Sequence, residues 1–388
     1  MNAPHRSQLS SAHLDMVRGL SALAVAVGHM RSLLFVDASQ LAQTSAFVKV
    51  VYFLTGFGHQ AVMVFFVLSG FFVTSHIHKS MDQGKWRFDS YFVARWTRLG
   101  VALVPALVVG LALDLLGMRL FGDAGVYGSA QGFGHIIPAN VAVSISPTIF
   151  LGNLFFLQTI LVPTLGTNGP LWSLANEFWY YLLYPLLAML FLRKRGGNTQ
   201  PVWCVIGASA VVVVLCLRPE KAVYFLVWLL GSALAWARAC PAKPARLLAW
   251  FSFVGFLAAL AVGRAVKSIP ELAADAVIAI TFTGFVYGLM NADMRPSTKS
   301  LYVWAATKLS EISYTLYLVH VPLLVFFAAG VMHGKQLPPT LPNLAMLLPV
   351  LALVLGYAWL MWWLFERRSN DVRVFVERLM LRQAKASP

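Results

Sequence analysis

Apolar runs of about twenty residues recur from one end of the chain to the other, each long enough to cross a ~30 Å hydrocarbon core. A chain patterned this way has few folds open to it. In lipid every backbone N–H and C=O must be satisfied within the protein, so repeated runs of this length predict a bundle of α-helices. Composition agrees. Only 12% of the 388 residues are charged, about half the share in a soluble domain, which argues against a soluble enzyme. The net charge of +15 is therefore read first as a topology signal, and not as a nucleic-acid footprint.

Hydropathy predicts ten spans, near 14–34, 59–78, 99–117, 171–192, 201–218, 222–238, 246–264, 272–290, 311–331 and 344–365. An eleventh stretch, IFLGNLFFLQTILVP at 149–163, is short and interrupted by Gly152, Asn153 and Pro163. With ten spans and the N-terminus inside, 22 of the 30 lysines and arginines lie inside and the other eight outside, as the positive-inside rule asks. A crossing at 149–163 would move Arg193, Lys194 and Arg195 outside, so that stretch is expected to be re-entrant or a short interfacial helix. The expected fold class is all-α: a polytopic transmembrane helical bundle of about ten spans plus that one short element. Residues 1–13 then form a cytoplasmic N-terminal segment, 14–366 the transmembrane domain, and 367–388 a basic amphipathic cytoplasmic tail suited to anionic lipid. The first run carries Arg18 and His29 and lacks an A-x-A-like exit, so it reads as a span and not as a cleaved signal. Cys204, Cys216 and Cys240 form no CxxC or Cys/His set and are expected to be small buried hydrophobes. No internal repeat is visible, which weakens a transporter built from two related halves.

Titratable groups inside a bilayer are costly, so each is a functional candidate. Arg18 and His29 in the first span return to nearly the same helix face after eleven residues, separated by a rise of roughly 16 Å. Asp15, three residues before Arg18, can pair with it. The alternative is snorkelling for Arg18 and a core-satisfied imidazole for His29. Arg95 and Arg98, about one turn apart at the inner mouth of the third span, suit a phosphate-bearing ligand, or serve as ordinary flanking charge. Glu177 is expected to face the bundle, with a role that could be purely structural. His320 is as deep as His29. Pro322 behind it should leave a backbone carbonyl without its helical donor, and Tyr314, Tyr317 and His320 share a face. Asp114 and Asp275 lie inside spans with no role suggested by their surroundings. His76 and His78 face different ways, against a metal clip, and zinc, Walker and Gly-x-Ser-x-Gly motifs are absent.

Four segments, in order, resemble the acyltransferase 3 family of bacterial membrane O-acyltransferases. LDMVRGLSALAVAVGH (14–29) is similar to its first span with the Arg-x10-His signature, and AVMVFFVLSGFFVT (61–74) to its Phe-Phe-Val-Leu-Ser-Gly-Phe span. PLWSLANEFWYYLLYP (170–185) is similar to its Trp-Ser-Leu-x-x-Glu segment, and ISYTLYLVHVPLL (312–324) to its Ser-Tyr-x-Leu-Tyr-Leu-x-His-x-Pro span. The resemblance implies transfer of an acyl group, commonly acetyl, from cytoplasmic acyl-CoA to a hydroxyl of a glycan, glycolipid or small acceptor. Acyl-CoA would be a co-substrate, with no tightly bound cofactor or metal and no nucleic-acid partner. Location would be the bacterial inner membrane, with both termini cytoplasmic. On that reading Arg18, Arg95 and Arg98 neutralise the CoA phosphates, and His29 is the general base, with Glu177 beside it in the catalytic set. Asp15, Ser69, Trp172, Tyr314 and His320 bind the acceptor or support the site. The competing readings are a transporter or flippase of a glycan or lipid-linked substrate, and an acyl-CoA-binding sensor without turnover.

Overall fold

A computed structural model describes residues 8–41, 43–122, 125–128, 133, 136–138, 140–191, 202–266, 268–292, 300–333 and 335–386. The basic cluster at 193–195 lies outside them. The described chain is helical, without a β-strand: α1 Gln8–Leu34, α2 Ala46–Leu54, α3 Gly58–Asp82, α4 Phe88–Phe121, α5 Pro147–Leu154, α6 Leu171–Phe191 and α7 Val202–Cys216 come first. They are followed by α8 Pro219–Leu234, α9 Ala242–Ala265, α10 Glu271–Asn291, α11 Leu301–Met332, α12 Leu341–Ala345, α13 Leu347–Leu364 and α14 Ser369–Ala386.

Among the described residues, each of the ten apolar segments falls mainly on helix. Six runs among the described residues are both long and apolar enough to cross a membrane: Ala46–Asp82, Phe88–Phe121, Ala242–Ala265, Glu271–Asn291, Leu301–Met332 and Leu341–Met380. At 15 and 16 residues, α7 and α8 rise only about 22–24 Å, less than a ~30 Å core. The 149–163 stretch is not a span-length helix. Its helical part, α5, ends after eight residues, a rise of about 12 Å.

The helices gather into two compact units. The first comprises the described parts of Met1–Val25, Phe57–Lys85 and Trp179–Ser313. Within it α3 packs on α8 and α9 on α10. A Cβ on Gly70 would collide with the Trp228 carbonyl, so the glycine of the FFVLSGF segment is what lets the two backbones approach. The groups alongside are paired. Trp228 Nε1 donates to Ser69 Oγ at 3.2 Å, Ser69 Oγ donates to the Tyr181 hydroxyl at 3.1 Å, and Thr74 Oγ1 donates to Ser232 Oγ at 2.8 Å. Elsewhere the unit turns large apolar side chains outward, Trp250, Phe251 and Val213 among them, a surface suited to lipid and costly in water. Cys216 is exposed on this kind of surface and Cys240 is partly exposed; only Cys204 is buried. The expectation of three buried cysteines is thus corrected: only one of the three is enclosed.

The second unit comprises the described parts of Ala26–Gly56, Trp86–Phe178 and Tyr314–Pro388. Here α14 lies along α4, where Ser90 Oγ donates to Glu377 Oε1 at 3.2 Å. The basic tail is therefore a packed element of the unit. Between α5 and α6 the chain doubles back, held by buried amides. Asn153 Nδ2 donates to the carbonyls of Ile149 (2.8 Å) and Pro163 (2.9 Å), and its Oδ1 accepts from the Leu165 N–H at 3.1 Å. Gln158 Nε2 donates to the Leu171 carbonyl at 3.0 Å. Asp114 on α4 accepts from both the N–H and the hydroxyl of Thr167, each at 2.8 Å. Gly166, at φ 54°, presents no side chain to that carboxylate.

Candidate active site

Two titratable candidates of the second unit meet. His29 of α1 and His320 of α11 meet with Nδ1 of the first 2.8 Å from Nε2 of the second. Their rings are 5° from parallel with centroids 5.1 Å apart. That separation is what a 2.8 Å contact along the line of centres requires, so the rings lie side by side in one plane, joined by a hydrogen bond and not stacked face to face. His320 Nδ1 is in turn 2.8 Å from the Leu316 carbonyl. A carbonyl can only accept, so Nδ1 of His320 carries a proton. In a neutral pair its Nε2 is then the acceptor, Nδ1 of His29 is the donor, and Nε2 of His29 is left with a lone pair. His320 is buried at 1% exposure, whereas His29 is half-buried. The basic nitrogen therefore belongs to the less buried of the two residues.

The helix that carries His320 is tethered turn by turn. Pro322 has no N–H to offer the Leu318 carbonyl four residues back, and Asn168 Nδ2 donates to that carbonyl at 2.8 Å. The carbonyl predicted to lack its helical donor is thereby satisfied from the doubled-back segment. The Tyr317 hydroxyl donates to the Pro170 carbonyl at 2.9 Å and lies 2.6 Å from Ser173 Oγ. Tyr314 donates to the Leu99 carbonyl at 3.1 Å. Tyr314 and Tyr317 thus support the helix bearing His320. Trp172 and Glu177 sit on the following helix, α6, both half-buried, on either side of buried Ser173.

Of the arginines, Arg98 reaches the carboxylate of Glu366 at 3.5 Å. That carboxylate also accepts from the N–H (3.2 Å) and hydroxyl (2.5 Å) of Thr315. Arg95 sets its guanidinium over the Tyr91 ring, 5.5 Å from the centroid. In the first unit Arg18 lies 3.5 Å from Asp15, and the hydroxyl of Ser310 joins them, accepting from Arg18 and donating to Asp15 at 3.0 Å. Arg18 is thus anchored in a three-residue polar set. Ser69 belongs to the α3–α8 contact of the same unit.

Sequence reasoning did not find Ser310, Asn168, Thr167 or Glu366. The proline at 322 signalled that a donor was needed, but nothing in the sequence said which residue would supply it.

Residues 11–363 match the acyltransferase domain that defines the acyltransferase 3 family. The chain belongs to the acyltransferase 3 family. Among curated proteins it is similar to the acyltransferase MdmB of Streptomyces mycarofaciens, 25% identical over 79% of this chain and 77% of that protein. It is also similar to nodulation protein 10 of Rhizobium leguminosarum bv. viciae, at 28% identity over 36% of each chain. An uncharacterized protein of Haemophilus influenzae is 28% identical over 34% of this chain and 49% of its own. No solved structure matches. The match spans all four sequence segments and both histidines of the pair, so this acyltransferase 3 chain is a membrane acyltransferase.

Proposed function

We propose that this acyltransferase moves an acyl group, acetyl in the simplest case, from cytoplasmic acyl-CoA to a hydroxyl of a glycan, glycolipid or small hydroxylated acceptor, with His29 as general base. The observation that carries the reading is the direction of the hydrogen-bond chain from Leu316 through His320 to His29, which leaves the free lone pair on Nε2 of His29. The acceptor hydroxyl gives its proton to Nε2 of His29 as its oxygen bonds to the thioester carbonyl carbon. The C–S bond then breaks, and the proton passes from His29 to the departing CoA sulfur. His320 is a positioning residue: it fixes the tautomer of His29 and shares the imidazolium charge, as a hydrogen-bonded partner does for other catalytic histidines.

Arg18, Arg95 and Arg98 are the residues assigned to the CoA phosphates, because guanidinium forks match phosphate oxygens. Arg98 enters this role already facing Glu366, so a phosphate there would share its charge with a carboxylate. Glu177 and Trp172, on the helix after Pro170, are assigned to the acceptor side. The bilayer in question is the bacterial inner membrane, with both termini cytoplasmic.

Detergent-purified protein given radiolabelled acetyl-CoA and candidate acceptors tests the reading. His29→Ala should lower transfer by about 10²–10⁴-fold, the range of general-base contributions, while the variant remains monodisperse. Near-wild-type transfer by that variant would overturn it.

A further inference from the structure

In the first unit, away from the histidine pair, three metal-ligating side chains converge. His59 is the second residue of α3. Glu271 and Asp275 stand four residues apart at the start of α10, and so on one face of that helix. His59 Nε2 lies 2.8 Å from Asp275 Oδ2 and 3.3 Å from Glu271 Oε1, and the three ligand atoms lie within 4.8 Å of one another. Asp275 is buried at 1% exposure. One of its oxygens is spoken for by His59; the other, Oδ1, has no hydrogen-bond partner among the described residues. A buried carboxylate oxygen left this way is destabilising, and one imidazole N–H aimed between two carboxylates cannot satisfy it. Something more positive than a shared proton fits the arrangement.

We propose that His59, Glu271 and Asp275 form a binding site for a divalent transition cation, Zn2+ or Mn2+, that clips the start of α3 to the start of α10. Ligand atoms held ~2.0–2.2 Å from a single ion stand roughly 2.8–3.6 Å from one another between octahedral and tetrahedral arrangements, and the separations of 2.8 and 3.3 Å from His59 fall within that range. One imidazole with two carboxylates favours these ions over Mg2+ or Ca2+, which take oxygen ligands, and over Cu(I), which takes sulfur. The Glu271 side chain is 72% exposed, so the ion has an open approach and room for water as its remaining ligands.

Full-length protein in detergent, stripped with chelator and titrated with Zn2+ alone by calorimetry, should bind a single tight equivalent. X-ray absorption of the loaded protein should show a nitrogen and oxygen shell without sulfur. Glu271→Gln, a substitution at an exposed position that leaves the fold intact, should weaken that binding at least about tenfold, and Asp275→Asn should weaken it further. The absence of a tight equivalent in the wild-type protein, or its survival undiminished in Glu271→Gln, would overturn the proposal and leave His59 and Asp275 as an ion pair.

Discussion

At the scale of the residue, the deciding fact is that Leu316 offers His320 a carbonyl and not an amide. That single acceptor sets the proton on His320 Nδ1, and through it the proton on His29 Nδ1. His320→Phe would keep the shape and remove the acceptor, so His29 could take either tautomer and its imidazolium would lose its partner. We expect kcat to fall on the order of 10²-fold, with KM for the acyl donor little changed, because His320 has a role separate from that proposed for the arginines. The pH profile of kcat should shift with it, a change that a merely structural residue would not produce; an unaltered kcat and profile would remove His320 from the mechanism. The sequence made both histidines legible, one through the Arg-x10-His spacing and the other through the proline behind it. Their contact was not legible. They are 291 residues apart, and helical periodicity reports which face a residue occupies but not which distant helix that face meets. Glu366 was missed for a related reason: at the end of the last predicted span it looked like tail, and only the fold brings it to Thr315 and Arg98.

At the scale of the element, the doubled-back segment between α5 and α6 supplies the support on which the site rests. Its backbone runs through Phe156 and Thr159, both at φ 59°, a left-handed conformation that costs of order 1–3 kcal/mol for a residue with a side chain. Buried Asn153 and Gln158 hold it there. Asn153→Ala would strand the Leu165 N–H and the Pro163 carbonyl, at about 1–3 kcal/mol for each group left unpaired. The expected outcome is a lower melting temperature in detergent and reduced transfer, because Asn168 and Pro170 of the same segment brace the helix of His320. A variant that melts and turns over like wild type would show that the amide is dispensable. The break in this stretch was readable from Gly152, Asn153 and Pro163. That the asparagine interrupting the apolar run is also the residue that ties it down was not, since both of its ends bond to backbone, which carries no sequence signature.

At the scale of the whole molecule, hydropathy located ten helices because burial in lipid is written into composition, residue by residue. It did not locate the division into two units, which depends on which helices pack together and not on how apolar each one is. The native cysteines test the orientation read from the charge pattern. Under that topology Cys216 ends a helix on the outer side and Cys240 lies in an inner loop. A membrane-impermeant maleimide added to spheroplasts should spare partly exposed Cys240 until the cells are opened; its labelling beforehand would invert the topology. Finally, the histidine pair is closed at one end. Whatever hydrogen ion His29 accepts cannot drain onward through its partner, whose far nitrogen is already committed to the peptide backbone. It has to go back out by the side on which it came, so each cycle is reset where it began, and this pair offers a gradient across the bilayer no path by which to drive transfer.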